Sequence, residues 1–413
     1  MEQYLIVADD FTGANDTGVQ LRRRGMPVSV VFSGALVTGD DSAVIDTESR
    51  ALPAKAAYQK VAEELKNIAF GKFAHVMKKV DSTLRGNIAV ETRAIDDVFK
   101  SELVIFAPAL PDLGRTTVNR VHLLNGTPIT RTELSHDPKT PVVEDNIQNI
   151  LESAFDERVI HTGLEDVQGG NIDFSGGRLF TFDASTNADM RRIIRAALGT
   201  GKRILWVGTA AMADNFLAVN HTLPPALAVI TSLSSVTRDQ VRYAEKQGVK
   251  VVQYPIHDII DRKARPEDFA AQVIGILEKG QDAMLVSAST YDPAALEKSA
   301  EAGARQEFSS EKVSEYMQTS LGPLTRKILE SVKVSGLFLA GGDTAIGFFN
   351  AVGSKGSAIV TEIAVGIPLM RLRGGPFEGL RVVTKAGAFG KEDAIFYALR
   401  KLREADEGGR NGE

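Results

Sequence analysis

Tyr4-Leu5-Ile6-Val7-Ala8-Asp9-Asp10-Phe11-Thr12-Gly13-Ala14-Asn15-Asp16-Thr17-Gly18 decides the fold. Leu5 to Ala8 is an apolar run with no polar alternation, the pattern of a strand buried on both faces of a parallel sheet. Asp9 and Asp10 follow at the strand's carboxyl end. Thr12-Gly13 then breaks the strand, and Thr17 to Arg23 reads as a helix. In open α/β sheets, ligands bind just outside the carboxyl ends of the strands. The two carboxylates therefore stand where a ligand is expected. Helix capping accounts for one acidic residue here, but not for Asp9, Asp10 and Asp16 together.

Working outward, the same alternation continues. Strands are expected at Val28–Phe32, Ala43–Ile45, His75–Val80 and Leu103–Ala107, then at Arg158–His161, Leu179–Phe182 and Ile204–Val207. Helices are expected from Pro53, over Ile88–Phe99 and over Asn187–Leu198. Such alternation argues for βαβ units and a parallel sheet. Val121-His122-Leu123-Leu124-Asn125-Gly126-Thr127-Pro128-Ile129 departs from it, with the Asn-Gly signal of a tight hairpin. It reads as an excursion that serves as a flap over the site or as a dimer contact.

Asn220-His221-Thr222-Leu223-Pro224-Pro225 is a linker, because a Pro-Pro pair cannot continue a helix. A second α/β series follows, with strands at Leu227–Ile230, Val249–Tyr254, Ala283–Val286 and Gly336–Ala340. Helices are expected from Thr237 and over Glu311–Val332. The fold class is thus α/β with two domains, 1–222 and 223–413. Each has a mainly parallel sheet flanked by helices, and the first carries the hairpin.

The bulk numbers agree. A chain of 413 residues is too long for one ordinary core. The net charge of −5 gives no support for nucleic-acid binding. The absence of cysteine excludes disulfides, thiolate zinc sites and a cysteine nucleophile, and fits a cytoplasmic protein. No signal peptide or membrane-spanning stretch is evident, so no membrane partner is expected.

Polar clusters recur at strand ends of the first half: Asp9/Asp10, Asp46 with Arg50, Lys79/Asp81/Ser82/Arg85, and Asp112 with Arg115. On one sheet edge these would offer cations for an anionic ligand group. They would also offer carboxylates for hydroxyls, one of them able to take a proton. The second half carries glycine and small hydroxyl residues instead: Ser232, Ser234, Gly341-Gly342-Asp343-Thr344 and Gly387-Ala388-Phe389-Gly390. Glycine lets backbone N–H groups approach an anion, and a helix starting near Asp343 would aim its positive end at that anion. Neither a P-loop nor a dinucleotide fingerprint is present. The six histidines are scattered without ligand spacing. Mg²⁺ on nucleotide phosphates needs only one or two carboxylates, and Asp343 is the candidate. Trp206 belongs to the core.

These motifs together resemble the four-carbon acid sugar kinases. The resemblance rests on Ile6–Leu21, Lys78-Lys79-Val80-Asp81-Ser82-Thr83-Leu84-Arg85-Gly86-Asn87, Pro111–Val118, Gly341–Thr344 and Lys385–Gly390, in order along nearly the whole chain. It implies a sugar-acid domain followed by an ATP domain, and transfer of the γ-phosphate to the 4-hydroxyl with Mg²⁺. By matching position, Asp9, Asp10, Arg50, Lys79, Asp81, Ser82 and Arg85 should contact the acid. Asp10 or Asp81 should receive the proton, and Lys79, Arg85 and Arg50 should hold the carboxylate. Ser232, Ser234, Gly341 to Thr344 and Gly387 to Gly390 should contact ATP. The Asn15-Asp16-Thr17-Gly18-Val19-Gln20 version of the first motif points to D-threonate, with D-erythronate or a 3-oxo-tetronate as alternatives. A non-catalytic sensor of sugar acid and nucleotide is the alternative from another class. Thr231, Asn119-Arg120 and Ala388 stand where the family often has glycine.

Overall fold

The computed structural model describes residues 2–405. The chain divides into two compact units, one running through Thr222 and the other spanning Leu223–Ala405. In the first, strands run β1 (Tyr4–Ala8), β2 (Val28–Val31), β3 (Ser42–Asp46), β4 (His75–Lys79), β5 (Leu103–Phe106), β6 (Arg115–Val118), β7 (Val121–Leu124), β8 (Thr127–Pro128), β9 (Val159–Thr162), β10 (Leu179–Phe182) and β11 (Ile204–Gly208). Eight of them form one sheet in the order β2-β3-β1-β4-β11-β5-β10-β9. Every pairing in it is parallel. Alternation sends Ile6, Met77, Ile105, Phe180 and Trp206 into one core face. Leu5, Val7, Val76, Val104 and Leu205 enter the other. Helices cover both faces, so the central strands β1, β5 and β11 are apolar on both faces.

The order fixes the site. After β1 the chain crosses to β2 and β3 on one side; from β4 onward it builds the other side. The crevice between the carboxyl ends of β1 and β4 is the switch point where such sheets bind ligands.

In the second unit, β12 (Ala226–Ile230), β13 (Lys250–Tyr254), β14 (Ala283–Ser287), β15 (Gly336–Ala340), β16 (Gly356–Ala364), β17 (Ile367–Arg373) and β18 (Arg381–Lys385) form one sheet. Its order is β13-β14-β12-β15-β18-β17-β16. The first five are parallel; β16 and β17 add an antiparallel hairpin edge. Its switch point lies between β12 and β15, in the same relation as β1 and β4.

Several expectations need correction. The first helix spans Phe11–Arg23 and is capped by Asp10, whose side chain accepts from Gly13 N. Thr12-Gly13 therefore opens the helix. Ala14, Thr17, Gly18 and Leu21 form its buried stripe. The helix expected from Thr237 starts at Ser235. The hairpin is three-stranded, because β6 pairs with β7. Strands β16 to β18 have no counterpart in the sequence expectation.

Candidate active site

In the first unit, the Arg50 guanidinium bridges the paired aspartates. Its Nε and Nη2 donate to Asp9 at 2.8 and 3.0 Å, and its Nη1 and Nη2 donate to Asp10 at 2.9 and 2.7 Å. Arg50 Nη1 also lies 3.5 Å from Asp81. Arg85 makes a two-bond fork to Asp81 at 3.0 and 3.1 Å, and its Nη1 reaches Asp137 at 3.4 Å. Thr83 N donates to Asp81 at 3.2 Å, and the Thr83 hydroxyl bonds the same carboxylate. Asn87 ties the two loops together by donating to the carbonyls of Ser49, Arg50 and Leu52. Asp9, Asp10, Arg50, Lys79, Asp81 and Arg85 are thus gathered at one switch point.

Lys78 and Lys79 leave opposite faces of β4, as adjacent strand residues must. Lys78 Nζ pairs with Glu91 at 2.7 Å, both 1% exposed. It also donates to the Lys79 carbonyl at 2.8 Å, while Ser49 donates to Glu91 at 2.6 Å. Lys79 Nζ donates to the Val80 carbonyl at 2.9 Å and has no carboxylate within ion-pair reach among the described residues. It sits beside the first helix. A Cβ on Gly13 would lie 2.8 Å from Lys79 Nζ and 2.6 Å from Asp10 Oδ1, so a side chain there would displace the ends of both.

The cations set the charge states. Burial pushes Asp9 up, but Lys78, Arg50 and Lys79 outweigh it and hold the carboxyl below its usual range. Burial likewise opposes Asp81, and bonds from Arg85 and Thr83 with the Arg50 charge bring it well below the carboxylate range. Burial lowers Lys79, with Asp9, Asp10 and Asp81 only partly compensating. Burial raises Glu91 despite Lys78.

Ser82 contributes a carbonyl, which lies 3.0 Å from His122 Nε2. His122 is fully buried, and its Nδ1 lies 3.1 Å from the Thr117 hydroxyl. Both ring nitrogens are thereby engaged. Burial pushes its pKa down to about 4. The hairpin is anchored to the Asp81–Arg85 loop through this neutral imidazole. At its other turn, Asn119 and Arg120 have φ of 52° and 71°, and Asp183 accepts from both backbone N–H groups at 2.6 and 3.0 Å.

Two expected clusters do not form. Asp112 accepts from Asn187, and Arg115 donates to the Leu113 carbonyl. Strand β11 separates β5 from β4, which carries this loop two strands away from the crevice. Asp46 does not bind Arg50; it caps Glu48 N at 3.0 Å, and burial raises it to about 6.

In the second unit, Thr231, Ser232, Gly341 and Gly342 line a cavity of about 500 Å³ together with Ile256, Leu296, Val313 and Met317. The helix Gly342–Val352 begins at its edge. Thr344 and Thr231 bond through their hydroxyls across the switch point. Ser234 N donates to Ser232 Oγ at 3.4 Å. A Cβ on Gly387 would lie 2.7 Å from Ser232 Oγ, so the Gly387–Gly390 loop meets the edge at Ser232. Gln240 closes that loop by donating to the carbonyls of Phe389, Gly390 and Lys391; the Phe389 side chain is half exposed. The side chain of Asp343 lies outside the described residues. Among the described residues, no group of three or more His, Asp or Glu could hold a metal.

Two family models divide the chain in the same manner. A sugar-binding N-terminal domain matches residues 4–216, and a nucleotide-binding C-terminal domain matches 227–395. A D-threonate kinase of Salmonella typhimurium is 33% identical over 97% of this chain and 98% of its own. The chain belongs to the four-carbon acid sugar kinase family. A D-erythronate kinase of Heliobacterium modesticaldum is 28% identical over 97% of this chain and 98% of its own. A Bordetella bronchiseptica crystal structure with bound citrate, a domain-swapped dimer, covers 97% of this chain and 98% of its own. It has 28% identity and a TM-score of 0.63. As a member of this kinase family, the protein is a phosphotransferase acting on a sugar acid. No described helix is long and apolar enough to cross a membrane.

Sequence reasoning missed four groupings: Asp137 on Arg85, the Lys78–Glu91 pair with Ser49 and Thr83 on Asp81 in the first unit, and Lys385 with Thr237 near Ser232 in the second. Alternation along β4 is the signal that separates Lys78 from Lys79. Nothing local marks Asp137, which lies 52 residues from Arg85.

Proposed function

We propose that the protein phosphorylates the 4-hydroxyl of D-threonate with ATP, giving 4-phospho-D-threonate. The observation that carries this reading is the gathering of Asp9, Asp10, Arg50, Lys79, Asp81 and Arg85 at the β1/β4 switch point of the sugar-binding unit. The identity to a D-threonate kinase supports the stereochemistry.

In this reading, Lys79 and Arg85 hold the substrate carboxylate. Lys79 keeps two donors beyond its carbonyl bond, and Arg85 exchanges half-buried Asp137 for the ligand. Arg50 is already occupied by Asp9 and Asp10, so its part is to fix both rather than to grip the acid. Asp10 receives the hydroxyl proton. It is the more open of the two candidates, with 24% of its side chain exposed against 11% for Asp81. A carboxylate held far below its usual pKa, as Asp81 is, makes a weak base. Ser82 offers its hydroxyl to the acid.

In the second unit, Ser232, Ser234, the Gly341–Thr344 turn and the Gly387–Gly390 loop take ATP. Catalysis of phosphoryl transfer is mostly positioning and charge neutralisation. Backbone N–H groups at the start of the Gly342–Val352 helix supply part of the second. The described edge offers hydroxyls and N–H groups, which fits Mg²⁺ carried chiefly by the phosphates, with Asp343 as a protein ligand. When bound, Mg²⁺ would neutralise phosphate charge.

We further infer a homodimer built through the second unit, in the cytoplasm. β16 is the outer strand of its sheet and exposes Ile359 and Val360, with Val365 in the following turn. Sedimentation velocity tests it, and a monomer at micromolar concentration would reject it. The reaction itself is tested by coupled ADP release with a panel of D-threonate, L-threonate, D-erythronate and 3-oxo-tetronates. The highest kcat/KM should fall on D-threonate. A preference for another acid would move the assignment within the family, and no ADP release with any acid would reject the kinase reading in favour of a sensor.

A further inference from the structure

Lys385 ends β18 and is 3% exposed. Its ammonium donates to Thr237 Oγ1 at 3.0 Å, to the Ala386 carbonyl at 3.1 Å and to the Gly387 carbonyl at 2.9 Å. All three protons thus go to neutral oxygens. Among the described residues, the charged groups on the adjoining helix and loop are engaged elsewhere or exposed. Arg238 on the adjacent helix donates to the Thr290 carbonyl. Asp239 and the following Lys391, Glu392 and Asp393 are exposed. Burial alone pushes Lys385 down to about 8.

A buried cation without a countercharge is costly. Here it stands at the carboxyl edge of the sheet, beside the cavity wall. Thr237 Oγ1, which receives the Lys385 bond, lies 3.2 Å from Ser232 Oγ and donates to the Gly387 carbonyl at 2.8 Å. Ser232 lines the cavity with Gly341 and Gly342. One hydroxyl therefore links the ammonium to the place where an anion is expected.

We propose that Lys385 is a positioning residue of the nucleotide edge, clamping the Gly387 loop to Thr237 and taking its missing counter-ion from the polyphosphate of the bound nucleotide. The inference rests on the reading of Leu223–Ala405 as the nucleotide-binding unit. Polyphosphate beside Lys385 favours its charged form. The uncharged fraction present in mildly alkaline solution therefore takes up a proton when nucleotide binds, and affinity falls as pH rises through about 8.

The test is calorimetric titration of the full chain with ADP and with adenosine, at about pH 8.5, in two buffers of different ionisation enthalpy. ADP should take up about half a proton or more, and adenosine none. Lys385→Met should weaken ADP by about tenfold or more, leave adenosine within about twofold and abolish the proton uptake. Uptake that is absent in the wild type, or that persists in the variant, overturns the proposal. So does equal weakening of ADP and adenosine. If the variant does not fold, the wild-type buffer comparison decides alone. Failure of the wild type to bind either ligand would reject the nucleotide reading itself; binding of both without proton uptake rejects only the role of Lys385.

Discussion

Lys78 and Lys79 are neighbours in sequence with opposite tasks. Lys79 keeps open donors beside Asp10, so Lys79→Met should raise KM for the sugar acid by about tenfold or more and leave KM for ATP nearly unchanged, as steady-state kinetics would read. Lys78 is locked to Glu91, and removing one partner of a buried pair typically costs about 3–5 kcal/mol. Lys78→Met should therefore destabilise strongly in urea unfolding, and Lys78→Met with Glu91→Leu should recover much of the loss. His122 gives a pH signature. Its folded pKa lies near 4 against an ordinary 6.5, so between those values the unfolded chain binds more protons than the folded one. Stability is then fully present above about pH 6.5 and is lost as pH falls toward 4, with a slope of at most about 1.4 kcal/mol per pH unit. His75, lowered chiefly by burial, adds in the same direction. His122→Gln should flatten the slope. At this scale the sequence made Asp9, Asp10, Lys79, Asp81 and Arg85 visible, because each stands at a strand end. It could not show that Arg50 is already occupied or that Asp137 reaches Arg85, since both depend on distant loops meeting.

The hairpin illustrates what an element's sequence conveys. Asn125-Gly126 marked one turn, and both residues have positive φ. The other turn, Asn119-Arg120, lacks glycine yet adopts the same left-handed geometry, held by Asp183. A side chain such as that of Arg120 adopts it at a cost of about 1–2 kcal/mol. Arg120→Gly should recover about 0.5–1 kcal/mol of that after its own entropy cost, measurable as a raised urea midpoint. No change, or a loss, would show that the arginine side chain stabilises the turn by other means. The β16–β17 hairpin escaped notice for a different reason. β16 exposes most of its residues, so it lacks the burial pattern that marks strands, and Pro368 and Gly374-Gly375 suggest loop.

Across the whole chain, alternation of strands and helices made both sheets readable, while strand order was not readable. A shared sheet edge would bring Asp112 and Arg115 together with the other clusters; the late strand β11, between β4 and β5, keeps them apart. Ligand effects should follow the two units. ADP at about a hundredfold over its Kd stabilises what it binds by about 2.7 kcal/mol, so it should slow hydrogen exchange in β12, β15 and β18 more than in β1 and β4. A sugar acid should do the reverse. Equal protection of both sets by ADP alone would contradict the division of labour.

The position of β11 also bears on how the chain is made. It supplies the slot between β4 and β5 but emerges from the ribosome about a hundred residues after β5. Until then, two apolar strands wait with bare backbone edges, the condition that invites mispairing with other chains. Synthesis stalled or truncated before Ile204 should therefore yield sticky, chaperone-dependent fragments, even though every charged residue of the β1/β4 crevice has already been translated.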